Sequence, residues 1–311
     1  MTNFQEKLQD IKNQINKYDK KHKTFDEQLE ILKERGLLIS NATYAITKLN
    51  HINYYRLSAY FLPFQHKKSS QEKNKFLSNT SFENIIQLYY FDTELRKIIF
   101  EAIEVIEIYF RTQISYFHAK EFGPYGYLDI KNFKTNQDFF GKIITLITNE
   151  TSRSEEEFIA HFRDKYQTKD LPIWTLVEVI SFGTLSKIYT ILKTDEQKIV
   201  IQKLKGINNS VFKNWLHALS VIRNICAHHS RLWNKTLGVK FEVPRKMSLF
   251  QNIQNDKIFF ALNVIEYILT CIDEDELEFK IKIQQLLEKY PYIDKKAMGF
   301  ADGWQNMGVW K

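Results

Sequence analysis

Residues Ser81 to Phe122 read SFENIIQLYYFDTELRKIIFEAIEVIEIYFRTQISYFHAKEF. Within this stretch Ile85, Leu88, Tyr89, Leu95, Ile98, Ile99, Ala102, Ile103, Ile106, Phe110, Ile114 and Phe117 recur at three- and four-residue steps. That is the period of an apolar helix face. No glycine or proline interrupts the run before Gly123, so one or two long helices are predicted. Gly123-Pro124-Tyr125-Gly126 ends them.

Upstream, Thr24 reads as an N-cap with Glu27 three residues later, the pattern of a capping box. Leu29, Ile31 and Leu32 supply apolar surface, and Gly36 closes that helix as a C-terminal glycine. Asn41 caps a second helix that buries Tyr44, Ala45 and Leu49. The aromatic-rich segment Ile52 to Phe64 comes next and stops at Pro63. Residues 1–24, with Lys17, Lys20, Lys21 and Lys23, read as a solvated terminus first, or else as a fraying helix or a basic arm. His66 to Lys75 is polar, charged and aperiodic. The expected organisation is an N-terminal helical module over 1–65, a linker over 66–75 and a larger helical domain over 76–311.

Downstream, helices are predicted over Asp138–Asn149, Ser154–Tyr166, from Pro172 to Gly183, Asn209–Trp233, Lys257–Cys271 and Glu276–Tyr290. Pro172 suits a first turn. The acidic run Asp273-Glu274-Asp275-Glu276 suits a helix start, where carboxylates meet the positive end of the dipole. Gly238–Val243 is the one candidate extended piece. The fold class is therefore all-α, and 10 glycines and 5 prolines in 311 residues are few enough to agree.

The chain carries 44 Lys and Arg against 37 Asp and Glu, a formal charge of +7. That excess permits a phosphate-rich partner without requiring one. Two cysteines, Cys226 and Cys271, do not make a disulfide framework. The N-terminal residues lack the apolar core of a secretory signal, and no apolar run has the length of a membrane span. A cytoplasmic protein with reduced thiols and no membrane contact is expected.

Chemistry concentrates in Val221 to Asn234, VIRNICAHHSRLWN, with two Arg, two His and two Asn. Cutting RNA without a metal needs a base for the ribose 2′-OH, an acid for the leaving oxygen and positive charge on the phosphate. Histidine titrates nearest neutral pH and suits the proton transfers. Arginine stays charged and grips phosphate with two parallel hydrogen bonds. On an ideal helix Arg223 and His228 lie about 140° apart. Either Arg223 uses its length or the helix breaks locally. Asn224 shares a face with His228 and can orient it, while His229 points elsewhere as a structural support. The competing reading is a buried polar network that ties helices together. A zinc site built from Cys226, His228 and His229 matches no common ligand spacing, so no metal or other cofactor is expected. A lone helical Cys226 reads as a small core residue.

A second Arg–His pair, Arg111 and His118, lies seven residues apart on one helix face. Glu104 and Glu107 share about the same stripe. Glu107 with Arg111 also fits an ordinary i,i+4 ion pair beside a surface histidine.

Arg223 to Asn234 resembles the signature of phage abortive-infection proteins of the AbiD/AbiF type. Leu32-Lys33-Glu34-Arg35-Gly36-Leu37, Ile52-Asn53-Tyr54-Tyr55-Arg56-Leu57 and Leu88-Tyr89-Tyr90-Phe91-Asp92-Thr93-Glu94-Leu95-Arg96 resemble the same family, in order, from about Phe25 to Asn234. The resemblance implies a relation to the HEPN superfamily, helical bundles that often cut RNA with an Arg, four to six residues, then a His. Arg223 and His228 match with four between, Arg111 and His118 with six. All four are the implied catalytic set, with Asn224, His229 and Glu107 supporting and Arg231 and Lys235 on the RNA. The implied activity is an endoribonuclease of phage defence, without cofactor, held in check by a small noncoding RNA or an infection signal and acting alone or as a homodimer. The alternative is a regulatory protein that binds RNA without cutting it.

Overall fold

The computed structural model describes residues 7, 21–66, 72–274 and 277–311. The expectations for Lys17, Lys20, half of the linker, Asp275 and Glu276 therefore lie wholly or partly outside the described residues. The fold is all-α, and among the described residues no strand forms. Extended pairing is limited to isolated bridges, Leu38 with Ser81, Gln65 with Phe76 and Phe133 with Leu192. Gly238–Val243 stays irregular.

The chain divides into two compact units, residues 1–89 and 90–311. In the first, α1 (Phe25–Glu34) starts with the full capping box, Thr24 and Glu27 each bonding the other's backbone. Its buried stripe is Leu29 and Leu32. Helix α2 (Ala42–His51) is capped by Asn41 and buries Ala45 and Leu49. Helix α3 (Tyr54–Phe61) is capped by Asn53 and buries Leu57, Tyr60 and Phe61 before Pro63 tightens the chain. Residues after the polar segment return to this unit. The Phe76 amide donates to the Arg35 carbonyl at 2.7 Å, and Leu38 exchanges hydrogen bonds with Thr80 and Phe82, each at 2.9 Å. These backbone pairs tie 76–82 to residues 35–38 of the first unit.

That helix, α4 (Phe82–Phe122), is a single span of 41 residues. Within the second unit Phe91, Leu95, Ile99, Ala102, Ile103, Ile106, Phe110 and Ile114 are all buried along it. Full burial of such large side chains contributes roughly 1.5–3 kcal/mol each, which outweighs weak intrinsic propensity in the Ile-rich stretches.

Helices α5 (Gln137–Ser152) and α6 (Glu157–Tyr166) come next. The helix expected from Pro172 to Gly183 is two, α7 (Ile173–Val179) and α8 (Phe182–Ile191). Ser181 breaks it, because its backbone is extended and its hydroxyl caps the Thr184 amide. After α9 (Thr194–Val200) comes α10 (Asn209–Ala227), which packs on α8. Helix α11 (Ile258–Cys271) is apolar around almost its whole circumference and correspondingly buried. Helix α12 (Phe279–Lys289) begins three residues later than expected, after Glu278 in the left-handed region. No described helix is long and apolar enough to cross a membrane.

Candidate functional site

Helix α10 was expected to run to Trp233 but ends at Ala227, because the backbone turns left-handed at His229, φ +54°. The His229 amide donates to the Cys226 carbonyl and the Ser230 amide to the Ile225 carbonyl, both at 3.0 Å. This pair of bonds is a Schellman motif. A histidine stands where glycine is usual, and histidine is one of the side chains that tolerates this region best. His228 is the C-cap, its amide bonded to the Asn224 carbonyl at 3.0 Å. The stop follows His228, so the backbone from Arg223 to His228 stays helical and their angular offset remains.

Beyond the turn, the chain is held by a residue from α4. Asp92 is fully buried and accepts the Leu232 amide at 3.1 Å and the Trp233 amide at 2.6 Å. Arg96, one turn on, pairs with the same carboxylate. Leu232 and Trp233 are buried, and the Trp233 indole donates to the Asp294 carbonyl. Two of the motifs quoted from the sequence, Leu88–Arg96 and Arg223–Asn234, are therefore one structure. Sequence reading missed the role of Asp92. Its signal is an acidic residue next to Phe91 on an otherwise apolar stripe, since a buried carboxylate requires partners.

Arg223 and Arg111 meet at Glu107. Glu107 pairs with Arg111 through one oxygen and with the Arg223 Nε through the other at 3.5 Å. Glu107 and Arg111 are buried, whereas the Arg223 side chain is 36% exposed. Removing a carboxylate and a guanidinium from water is costly unless they are paired. Here two guanidiniums share one carboxylate, so the cluster keeps one positive charge, and its outer member is Arg223. The Arg223 guanidinium also sits 5.7 Å from the centre of the Phe100 ring.

His118 is elsewhere. It is fully buried, its Nδ1 lies 2.9 Å from a Glu196 carboxylate oxygen, and its ring stacks on Phe133. It is not the surface histidine of the ion-pair reading. The structure brings Arg111 to Arg223 but does not bring His118 to His228. Asn224, His228 and His229 are exposed, and Arg231 and Lys235 are half-buried. Among the described residues the His228 side chain makes no hydrogen bond or ion pair. Burial pushes the Cys226 thiol up to about 12 against the pull of Arg96, so it stays protonated near neutral pH. Among the described residues no group of three His, Cys, Asp or Glu side chains is placed to hold a metal ion.

Residues 47–234 match the model of the Abi-like protein family. The chain is a member of that family. The matched segment contains the second half of α2 and all of α3 to α10 and ends on the turn that Asp92 holds, so the Abi-like match covers Glu107, Arg111, His118, Arg223 and His228 alike. No curated protein and no solved structure matches the chain significantly.

Proposed function

We propose that this Abi-like protein acts in phage abortive infection as a metal-independent RNA endonuclease of the HEPN type, controlled by a bound noncoding RNA or an infection signal. The observation that carries this reading is the unbalanced positive charge of the Glu107–Arg111–Arg223 cluster, on the helix whose C-cap is an exposed His228 that has no partner among the described residues. Arg223 would hold the scissile phosphate. The ribose 2′-oxygen then attacks phosphorus, the bond to the 5′-oxygen breaks, one group takes the 2′-OH proton and another protonates the leaving oxygen. His228 serves one of these proton transfers. Asn224 and His229 flank it, and Arg231 and Lys235 continue the cationic surface. Arg111 supports Arg223 through Glu107. With His118 enclosed on Glu196, the second imidazole is assigned to His228 of a second copy of this chain in a homodimer. The products carry 2′,3′-cyclic phosphate and 5′-OH ends.

The burial of His118 also favours a second reading, in which the same cations grip RNA and no cleavage results. The two are separated by incubating the wild type and His228→Ala with labelled cellular RNA in EDTA. Cleavage by the wild type, with the variant slower by about 10²–10⁴-fold, is the expected result. An undiminished rate in the variant removes His228 from the mechanism. Salt-dependent RNA binding with no product under any condition supports the second reading.

A further inference from the structure

A cavity of about 410 Å³ opens between α4 and the C-terminal end of α10, lined by Lys97, Phe100, Glu104, Cys226, Ala227 and His229 among others. Its volume is within the range of small-ligand sites. We propose that this cavity seats one base of the bound RNA, and that Glu104 selects guanine there. This rests on the RNA reading of the adjoining Arg223–His228 site.

The cavity shares its walls with that site. Cys226 and Ala227 immediately precede His228, and Phe100 carries the Arg223 guanidinium. A phosphate held on Arg223 therefore delivers its nucleotide to the mouth of the cavity. Phe100 is half-buried and offers a flat apolar wall, the surface on which unstacked RNA bases are held.

The acidic lining discriminates among bases. A carboxylate repels phosphate, so its use here is to accept hydrogen bonds from a base edge. Glu101, also at the cavity, is engaged by Lys282 at 3.0 Å through both oxygens. Glu104 is exposed and makes no hydrogen bond or ion pair among the described residues. Guanine presents N1–H and the N2 amino group side by side, which one carboxylate accepts together. Adenine and cytosine offer an amino group beside an acceptor, and uracil a single N3–H between two carbonyls. Inosine keeps N1–H and loses the amino group.

The test uses the full chain and fluorescein-labelled oligouridylates bearing one central guanosine, inosine, adenosine or uridine. These are 2′-O-methylated, so attack by the 2′-oxygen cannot occur. Fluorescence anisotropy at fixed salt should show guanosine bound more tightly than uridine by roughly 5–150-fold, with inosine between them. Glu104→Gln should bring the oligomers to similar affinities. Phe100→Leu should weaken the guanosine oligomer by a similar roughly 5–150-fold. Far-UV circular dichroism checks that both variants fold. Equal affinities in the wild type, or a guanosine preference unchanged in Glu104→Gln, overturns the base pocket while RNA binding itself stands. No salt-dependent binding of any oligomer overturns both the pocket and the RNA reading.

Discussion

His229 occupies the left-handed position that lets α10 stop where it does, and it does so at a cost. A side chain with a Cβ in this region is destabilised by roughly 1–2 kcal/mol relative to glycine. His229→Gly should keep the Schellman turn and raise the urea midpoint by up to the equivalent of about 1 kcal/mol. A lower midpoint would mean that contacts of the imidazole outweigh the backbone strain. His228, one residue earlier, carries no such strain, with φ −87°. Its exposure comes from being the cap rather than an interior helical position. Cys226, two residues earlier, faces the core, and burial makes it a packing residue rather than a nucleophile.

Between elements, carboxylates on α4 organise much of what surrounds the site. Asp92 receives the chain after α10, with Arg96 as its cation. Asp92→Ala leaves a buried guanidinium and two buried amides without that acceptor. It should cost about 3–5 kcal/mol, read as a lower denaturant midpoint, and should loosen the Leu232–Trp233 turn. A midpoint within experimental error of wild type would refute the anchoring role. Further along, Glu94 takes Lys289 at 2.8 Å and Glu101 takes Lys282 at 3.0 Å. The steps from Glu94 to Glu101 and from Lys282 to Lys289 match in opposite directions, so α12 lies antiparallel on this part of α4.

Burial alone would raise the Glu94 carboxyl, but hydrogen bonds from Lys289 and Tyr290 outweigh it and hold it below the ordinary carboxylate range. The folded value is thus below the unfolded one, about 4.3. The resulting stabilisation is complete above the unfolded value and is lost as pH falls through the folded one. Denaturant midpoints should fall below about pH 4, and Glu94→Gln should flatten that acid limb. An acid limb of unchanged slope would place the linkage elsewhere. The last residues depend on a close approach of another kind. At Gly308, φ +57°, an added Cβ would lie 1.9 Å from the buried Asn263 Oδ1, so only glycine fits beside α11.

For the whole molecule, one chain exposes the Arg223–His228 pair and encloses His118. If two copies supply the two imidazoles, specific activity should fall on dilution, in step with loss of dimer by analytical ultracentrifugation. A monomer with constant specific activity would place both proton transfers within one chain. The excess of +7 charge belongs to this scale as well, since it favours approach of a polyanion wherever the contact is finally made.

The all-α class, the long helical run of α4 (though not whether it was one helix or two) and the caps at Thr24 and Asn41 were legible in the sequence, because helical period and capping are settled by residues within a turn or two of each other. Arg223, His228 and Arg111 could be singled out for the same kind of reason, as residue types suited to phosphate and proton transfer. The backbone stop at His229, the joining of Arg223 to Arg111 through Glu107, the capture of Leu232 and Trp233 by Asp92 and the enclosure of His118 on Glu196 were not legible. Each depends on which groups, distant along the chain, are removed from water together. A buried charge is tolerable only where a partner arrives, and local pattern does not say which partner that will be. The fold class was therefore a property of short-range periodicity, whereas the division between exposed chemistry and buried support was decided by tertiary packing.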